Sequence, residues 1–532
     1  METHCSYLPY KQTGYFSKLV TDYLESAPQL QPFYNYKPDI EGVKSAIAGR
    51  KSFQHREILV SELRKQYQDL EVSDATSKNI QSLLDENTFT VTTAHQPNIF
   101  TGPLYAVYKI FHAIKLAQEL NDAIPGTRFV PIYFIGSEDA DLAELNHISI
   151  NARVYTWDTK QTGSVGRMKV DDALLRVISE MEGQLHIQSH GEEITRLFRR
   201  CYEKGSSIQQ ASLKLANALF GEYGLVALIP DNAGLKRLFQ PVIARELHDQ
   251  FSHKAISSTI TALDQHYKVQ ASGREINLFY LIDDKRERIE AVDGRFEVKS
   301  RGLQWNAAEI LRELDEHPER FSPNVILRGV FQEAILPNVA FIGGGGELAY
   351  WLEFKEVFRA AEVPYPVLLL RNSFLLIEKA WLKKIEALHL DPEFLFENEH
   401  NVMKRVLAAN SKNKFALNGE LSKFENLYTQ IQNLTTNIDP TLNDHVAALK
   451  TRALKKLVEL EKKMLRAEKK KFATQQQQVQ KIKATLFPNN SLQERVENFS
   501  GFYARYGRDW LNTILQHSTA FQQQFGIITV DQ

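Results

Sequence analysis

Two strand patterns joined by a polar turn and an apolar helix most constrain the fold of this 532-residue chain. The β-branched and aromatic residues 88–93 predict a short strand, and the almost continuously apolar residues 129–135 predict a strand buried on both faces. Between them, the polar turn 94–102 leads into Pro103, which favours the first turn of a helix, and an apolar helical face continues to about Leu120. The segment therefore predicts a parallel β–turn–α–β crossover.

The same alternation of strand and helix patterns recurs further along the chain. It comprises predicted strands at 225–229, 339–342 and 367–370 and predicted helices at 235–250 and 347–359. Two clusters of such units predict an α/β fold with a doubly wound, Rossmann-like parallel core. The mixed segments at about 150–205 and 255–325 are predicted insertions into that core.

Strand patterns disappear after about residue 390. Apolar residues spaced three and four apart, first over 421–438 and then from Val446 onward, predict a C-terminal antiparallel α-helical coiled coil with a phase slip near Phe472. We therefore predict four segments along the chain. They are a helical segment 1–85 packed on the core, the core at 86–390, a coiled-coil arm at 391–490, and a helical segment 491–532 that returns to the core.

The charge of the chain is balanced but unevenly distributed. The 64 Lys and Arg residues against 65 Asp and Glu residues argue against a globally basic nucleic-acid-binding protein. Residues 450–483 of the arm, however, hold 12 basic and 3 acidic residues. This segment is either a solvated helix face or a surface that touches RNA phosphates or an acidic partner.

Cysteine content and hydropathy bound the class of protein. Cys5 and Cys201 alone provide neither a disulfide framework nor the thiolates of a structural zinc site. No apolar stretch approaches the roughly 20 residues that a membrane-spanning helix needs, and the first residues lack the apolar block of a secretory signal. We therefore expect a cytoplasmic protein with no membrane contact.

The polar turn after the first predicted strand carries His95, Gln96, Asn98, Thr101 and Gly102. Ligands of doubly wound sheets bind beyond the carboxyl ends of the strands, where the start of the next helix favours an anion. An imidazole, two amides and a hydroxyl at this place could bind phosphate or polarise a carboxylate. An equally open interpretation is a capped turn, with Thr101 as N-cap and Asn98 in an Asx-turn.

The second buried strand is followed by the carboxylates of Glu138, Asp139 and Asp141, and then by His147. Three carboxylates this close repel one another unless a cation is near, so they could hold Mg²⁺ or grip an ammonium group. The alternative is an acidic helix N-terminus, which the helix dipole also favours.

A run of four glycines, Gly343, Gly344, Gly345 and Gly346, precedes Glu347 between a predicted strand and helix. Such a run lets a backbone approach an anion closely, although its spacing is neither a Rossmann fingerprint nor a P-loop, and a tight packing bend is the alternative. Arg371 and Ser373 follow the last predicted strand, where the guanidinium offers a fork for a carboxylate or phosphate. Arg328 and Glu333 flank a further candidate region.

Several ordered motifs carry a resemblance to a known family. They are TGPLY leading to KLAQEL at 101–120, VPIYFIGSEDADLAELNH at 130–147, NLFY at 277–280, SPNVILRGVFQEAILPNVAFIGGGGELAYW at 322–351 and NNSLQER at 489–495. Through them the chain resembles the bacillithiol-biosynthesis cysteine-adding family (BshC) over nearly its full length.

The resemblance implies a ligase that joins cysteine to the malyl carboxylate of glucosaminyl-malate through an amide bond. It also implies a core similar to class I aminoacyl-tRNA synthetases and nucleotidylyl transferases, a homodimer formed through the coiled coil, and ATP with Mg²⁺ as the activating cofactor. Residues 95–98 then stand where that superfamily carries its HIGH signature, with Pro97 in place of a glycine. Residues 371–373 stand where a KMSKS loop is expected, and 411–414 are a weak substitute for that loop.

On this resemblance we predict that His95, Asn98, Asp139 and Arg371 are catalytic. His95, Asn98 and Arg371 would stabilise the charge on the activated malyl group, and Glu138 with Asp139 would hold the cysteine ammonium or Mg²⁺. The predicted substrate- or nucleotide-binding residues are Gln96, Thr101, Gly102, Glu138, Asp141, His147, Arg328, Glu333, Gly343, Gly344, Gly345, Gly346, Glu347 and Ser373. The alternatives are a synthetase-derived RNA-binding protein that uses the basic arm and a structural dimer with a vestigial pocket.

Overall fold

The computed structural model describes residues 2–269, 273–283, 285–410 and 417–530. Contacts divide the chain into two units. The first holds Met1–Leu375 and Ser491–Ile528, and the second holds Leu376–Asn490 with the end of the last strand. The segment 411–414, the weak substitute for a KMSKS loop, lies outside the described residues.

The described residues form strands in five sheets. In chain order the strands are β1 (Thr3–Pro9), β2 (Thr88–His95), β3 (Arg128–Ile135), β4 (His147–Ile150), β5 (Arg153–Thr156), β6 (Val226–Leu228), β7 (Leu278–Ile282), β8 (Lys285–Arg288), β9 (Glu290–Val292), β10 (Arg295–Val298), β11 (Leu303–Trp305), β12 (Phe321–Pro323), β13 (Asn338–Gly343), β14 (Val367–Leu370), β15 (Ser373–Ile377) and β16 (Gln524–Val530).

The α-helices are distributed over both units. In chain order they are α1 (Tyr10–Thr13), α2 (Lys18–Leu24), α3 (Ile40–Arg50), α4 (Arg56–Tyr67), α5 (Asp74–Ser82), α6 (Tyr105–Ala123), α7 (Leu142–Leu145), α8 (Asp172–Leu185), α9 (Gly191–Cys201), α10 (Ile208–Phe220), α11 (Ala233–Arg237), α12 (Gln240–Asp249), α13 (Phe251–Leu263), α14 (Ala307–Glu316), α15 (Val325–Ile335), α16 (Gly345–Glu353), α17 (Lys355–Ala361), α18 (Lys379–Glu386), α19 (Glu399–Asn410), α20 (Asn418–Ile438), α21 (Leu442–Lys471), α22 (Ala473–Leu486), α23 (Gln493–Val496), α24 (Phe499–Tyr506) and α25 (Arg508–His517).

The central sheet of the first unit has the strand order β14-β13-β2-β3-β6, and all its pairings are parallel. The crossover predicted from residues 88–135 is confirmed, because β2 and β3 lie side by side in register and α6 joins them. Apolar strand residues such as Val91 pack with Val43 of α3 and Leu116 of α6 in one buried cluster. Burial of both sheet faces explains why the strand sequences are almost continuously apolar or β-branched. The prediction of a Rossmann-like doubly wound core is therefore confirmed.

The strands of the smaller sheets precede, separate or follow the core strands along the chain. The antiparallel pair of β4 with β5 begins just before the first predicted insertion, and the antiparallel pair of β7 with β8, to which β12 adds, lies within the second. A further sheet has the order β11-β10-β9. The last has the order β1-β16-β15 and so joins the two ends of the chain.

Both chain ends depart from the prediction of helical segments. Strand β1 lies in the segment 1–85, and strand β16 lies in the segment 491–532, whose helices end at His517. The two strands are neighbours in a sheet although more than 500 residues separate them. Local periodicity carries no signal of such a distant partner, which is why the sequence analysis predicted helix here.

Apart from the ends of β15 and β16, the described residues of the second unit are mostly helical and form α18–α22, which confirms the predicted C-terminal coiled coil. α20 and α21 run antiparallel, since the backbone N–H of Leu417, just before α20, donates to Glu461 in the second half of α21 at 3.3 Å. Phe472, where the apolar phase slips, separates α21 from α22. None of the helices in the described part of the chain combines the length and apolar character needed to cross a membrane.

Candidate active site

A cleft of about 370 Å³ opens at the carboxyl ends of the central parallel strands in the first unit. It is lined by residues that follow β2, β3, β13 and β14, together with residues of α6, α15, α16 and the C-terminal segment. The lining residues are Ala94, His95, Gln96, Tyr105, Lys109, Phe134, Gly136, Glu144, Val325, Arg328, Gly329, Gln332, Phe341, Gly344, Gly345, Gly346, Glu347, Tyr350, Trp351, Arg371 and Arg495. The structure thus brings the histidine turn, the glycine run and Arg371 to one cleft.

His95 ends β2 and is 7% exposed. Its ring lies edge-to-face against Tyr105, with 5.2 Å between centroids. Burial lowers the pKa of His95 well below its ordinary value, and the positive charges of Lys109 and Arg371 lower it further. The Nε2 atom is buried and has no hydrogen-bond partner among the described residues. The side chain is therefore a neutral imidazole with one ring nitrogen free for a ligand.

Arg371 follows β14 and is fixed by its two terminal nitrogens. One donates to Ser373 Oγ at 2.8 Å, and the other donates to Glu494 Oε1 at 2.7 Å. Burial alone would lower the pKa of Arg371, but Glu494 outweighs it and the pKa is raised. The two terminal nitrogens of Arg371, which were predicted to bind a ligand, therefore already donate to Ser373 and Glu494. The Nε atom remains buried without a partner in the described part of the chain, close to Gly344 in the cleft wall.

The glycine run turns the chain from β13 into α16. A side chain on Gly343 would start 2.9 Å from the Phe341 ring and 3.0 Å from Glu347, so close approach requires glycine there. The backbone N–H of Gly344 donates to Glu347 Oε2 at 2.7 Å, and Glu347 also pairs with Lys109. The first N–H groups of a helix have no partner within it, so those of Gly345 and Gly346 add positive potential to the cleft.

Two of the three carboxylates of the acidic cluster are paired with cations. Glu138 pairs with the buried Lys236. Asp139 accepts hydrogen bonds from Gln96 at 2.9 Å and from Arg328 at 3.3 Å. Burial raises the pKa of Asp139, but Arg328 and Gln96 outweigh it, and the net pKa is lowered. Within residues 2–269, 273–283, 285–410 and 417–530, no three His, Cys, Asp or Glu side chains are grouped to hold a metal ion.

Glu138 and Asp139 are not among the cleft-lining residues, and Asp141, His147 and Glu333 also lie outside the lining. Asp141 caps α7 by accepting from the Glu144 N–H at 3.3 Å, as the acidic-helix alternative supposes. His147 is exposed and contacts Asn146 at 3.2 Å. Glu333 is buried against Arg50 and Asn338, the residue that begins β13, so it lies at the opposite end of that strand from the cleft.

Asn98, Thr101 and Gly102 shape the bend behind the cleft. Gly102 has φ +69°, and a side chain there would start 2.7 Å from Asn98 Cβ. Thr101 is not the N-cap of α6, because Leu104 holds that position and no side-chain cap bond forms. Asn98 Oδ1 and Thr101 Oγ1 are buried without a hydrogen-bond partner among the described residues.

Sequence reasoning missed the contribution of α6 and of the C-terminal segment. Lys109 is 2% exposed and donates to the Ala94 carbonyl at 2.9 Å. The sequence feature that could have indicated its role is a lysine within an otherwise apolar helical pattern. Asn498 donates to the carbonyls of Phe100 at 2.9 Å and Gly102 at 2.5 Å, which fixes the histidine turn. Asn498, like Glu494 and Arg495, lies in the C-terminal segment. This segment is far from the histidine turn along the chain, so the sequence pattern carries no sign of its role at the cleft.

His112 supports the loop that carries Arg371. Its Nδ1 accepts from the Asn372 N–H at 3.1 Å, and its Nε2 faces the Ala520 carbonyl at 2.8 Å. This pattern requires neutral imidazole with the proton on Nε2. Burial lowers the pKa of His112 from its ordinary value of 6.5 to about 4.

We expect His112 to make stability depend on pH. Between pH 6.5 and 4 the unfolded chain binds more protons at this residue, so the free energy of unfolding falls as the pH falls, by about 3 kcal/mol over that window. Denaturant unfolding at pH 7 and pH 5 should show a smaller loss for His112→Gln than for the wild-type protein. An equal loss in the two proteins would contradict the assignment.

Comparison with known proteins places the chain in a family. Residues 1–372 match the N-terminal Rossmann-like domain of bacillithiol biosynthesis BshC, and residues 374–530 match the C-terminal coiled-coil domain of BshC. The chain belongs to the BshC family. Its relatives include proteins of Flavobacterium johnsoniae, 39% identical with both chains covered in full, and Flavobacterium psychrophilum, 39% identical with 99% of each chain covered. Both carry the name "Putative cysteine ligase BshC".

More distant relatives and a solved structure extend the comparison. A Bacillus cytotoxicus protein of the same name is 26% identical, with 96% of this chain and 97% of that protein covered. The match to a solved Campylobacter jejuni structure, titled "putative arginyl t-RNA synthetase", covers 81% of this chain and 99% of that chain. Its TM-score of 0.19 and identity of 14% are too low to support the expected relation to class I synthetases.

Proposed function

We propose that this protein is an amide-forming ligase that joins cysteine to the malyl carboxylate of glucosaminyl-malate. Membership of the BshC family and the names of its relatives support this activity. The observation that carries the proposal is the pair of buried, unpartnered nitrogens, His95 Nε2 and Arg371 Nε, at the cleft. Each such buried group costs free energy unless a ligand completes its hydrogen bonding.

The cleft suits the stabilisation of negative charge on an acyl group. Amide formation requires an activated malyl carboxylate, on which the cysteine nitrogen forms the new C–N bond as the activating group leaves. Arg371 Nε–H and the N–H groups at the start of α16 would bind the oxygen where charge develops. Because His95 is neutral, its Nε2 can accept a hydrogen bond in one tautomer or donate one in the other without adding a charge.

We propose that ATP is the cosubstrate that activates the malyl carboxylate. The unpartnered nitrogens of His95 and Arg371 and the helix start at Gly345 fit an anionic phosphate chain. When bound, ATP would supply the phosphoryl or adenylyl group that activates the carboxylate. The carboxylates expected to hold Mg²⁺ do not fit that ion, since Glu138 is paired with Lys236 and Asp139 with Arg328.

An in vitro ligation assay tests the proposed function. Purified protein, glucosaminyl-malate, cysteine and ATP with Mg²⁺ are incubated, and the amide product and released AMP or ADP are quantified together. We expect product and nucleotide release in equal amounts. Product without nucleotide consumption would remove ATP from the mechanism, and no product with any nucleotide would overturn the ligase assignment.

The RNA-binding alternative receives no support from the comparisons, because both family matches describe bacillithiol biosynthesis. The proposed site of action is the cytoplasm, where the small-molecule substrates are expected. The coiled-coil match favours assembly into a homodimer.

Substitutions on α20 test the proposed homodimer. Leu434 and Ile438 are 65% and 80% exposed on this helix, and apolar side chains of this size are stabilised by burial at an interface. We expect the double variant Leu434→Glu/Ile438→Glu to weaken dimerisation about 100-fold or more. The matched control is Asn433→Glu on the same exposed helix, and light scattering over a concentration series measures both variants. Unchanged dimerisation in the double variant would contradict this interface.

A further inference from the structure

Three of the cations that line the cleft are paired with carboxylates of the protein. Lys109 pairs with Glu347, and Arg328 pairs with Asp139 at 3.3 Å. Arg371 pairs with Glu494 at 2.7 Å. Each of these three cations is therefore neutralised before any substrate arrives.

Arg495 and Glu144 differ from the other lining charges. Among the described residues, neither side chain has an oppositely charged partner within ion-pair distance, and both are exposed at the cleft. Glu144 is nevertheless oriented, because Gln96 Nε2 donates to its Oε2 at 3.3 Å and to Asp139 at 2.9 Å. The cleft thus offers one unpaired positive and one unpaired negative charge.

The two unpaired charges act on a common neighbour. Burial raises the pKa of Tyr105 to about 12, and among the charges around it Arg371 and, more weakly, Arg495 lower the pKa, while Glu347 and, more weakly, Glu144 raise it. The Tyr105 ring also touches His95, whose Nε2 is buried and unpartnered, and lies 5.0 Å from the Arg371 guanidinium. Both unpaired charges therefore line the same cleft as His95 and Arg371.

We infer that Arg495 and Glu144 form the subsite for an α-amino acid zwitterion, with Arg495 on its carboxylate and Glu144 on its ammonium group. A zwitterion supplies one charge of each sign, and these signs match the two unpaired charges that line the cleft. A simple amine would leave Arg495 unpaired, and a simple carboxylate would leave Glu144 unpaired. The inference rests on the proposed function, and it moves the ammonium site from Glu138 and Asp139, which the structure shows paired, to Glu144.

Steady-state kinetics with cysteine and cysteamine test the inference, because cysteamine keeps the thiol and the amine but lacks the carboxylate. We expect Arg495→Gln to raise the KM for cysteine about ten-fold or more, with the KM for glucosaminyl-malate changed less than about two-fold. The wild-type preference for cysteine over cysteamine in kcat/KM should disappear in Arg495→Gln and return in part in Arg495→Lys. Glu144→Gln should raise the KM for both amines.

Arg508→Gln serves as the matched control. Arg508 also lies in the C-terminal segment, but its exposed side chain pairs with Glu222 on the surface, so its kinetics should equal those of the wild-type protein. An unchanged cysteine KM in Arg495→Gln, or a retained preference for cysteine over cysteamine, would overturn the subsite while leaving the ligase assignment intact.

Calorimetric titration with cysteine separates the subsite from the proposed reaction. If the wild-type protein forms no product, cysteine binding that weakens in both Arg495→Gln and Glu144→Gln would still support the zwitterion subsite. Absent binding to the wild-type protein, or equal binding to all three proteins, would overturn it.

Discussion

His95→Ala is expected to lower kcat for ligation about 100-fold to 1,000-fold. The His95 side chain lies at the end of β2 and lines the cleft, and its buried Nε2 has no partner in the described part of the chain, so we propose that it hydrogen-bonds the reacting group. Burial and the nearby Lys109 and Arg371 hold the imidazole neutral by lowering its pKa. The measurement is kcat at saturating substrates near pH 7.

Stability and a second histidine provide the controls for this prediction. Removal of Nε2 breaks no hydrogen bond of the described structure, so circular dichroism and the thermal midpoint should stay close to those of the wild-type protein. His248→Ala, at an exposed histidine paired with Asp249, should keep full activity. A kcat for His95→Ala within about three-fold of wild type would exclude a catalytic role for this imidazole.

Glu494→Ala is expected to lower the free energy of unfolding of the first unit by about 3 to 5 kcal/mol. Glu494 is fully buried, accepts from Arg371 at 2.7 Å, and accepts from the Phe374 N–H at 3.2 Å. Removal of this carboxylate leaves the Arg371 charge, only 3% exposed, without its counter-ion. Activity should also fall, because the guanidinium then loses the contact that directs Nε into the cleft.

A double variant distinguishes a buried charge from a simple packing loss. Arg371→Met/Glu494→Ala removes both charges, so we expect it to be more stable than Glu494→Ala alone in denaturant unfolding. The matched control is Glu182→Ala, which breaks a partly exposed ion pair with Arg199 and should cost less than about 1 kcal/mol. A double variant no more stable than Glu494→Ala would contradict charge burial as the cause.

Much of the core could be predicted because its signals are local. β2, α6 and β3 occur within a few residues of their predicted positions, since β-branched strands and an apolar helical face reflect burial against near neighbours. Each of the predicted helices, 235–250 and 347–359, is divided into two helices in the structure. α11 and α12 separate near Leu238, where Pro241 in the first turn of α12 has no N–H to continue the preceding helix, and α16 and α17 separate at Phe354.

Only those residues of the candidate site that directly follow the core strands could be predicted from the sequence. The carboxyl ends of parallel strands meet at one sheet edge, so the turn at His95, the glycine run and Arg371 could be placed together from the order of elements. Their charge partners could not, because Lys236, Glu494 and Arg328 reach Glu138, Arg371 and Asp139 across long sequence separations. The roles of the predicted residues remain proposals.

The sequence by itself determined the parallel α/β core, the helical arm and the edge of the sheet where polar side chains gather. These follow from short-range rules, in which hydrophobic period selects helix or strand and chain direction selects the edge. Only the tertiary structure decided which charges are neutralised and which stay unpaired, and how residues 494–498 close the back of the histidine turn. The reason is physical: ion pairing and burial depend on distances between side chains from separate elements, and those distances exist only after the chain has folded.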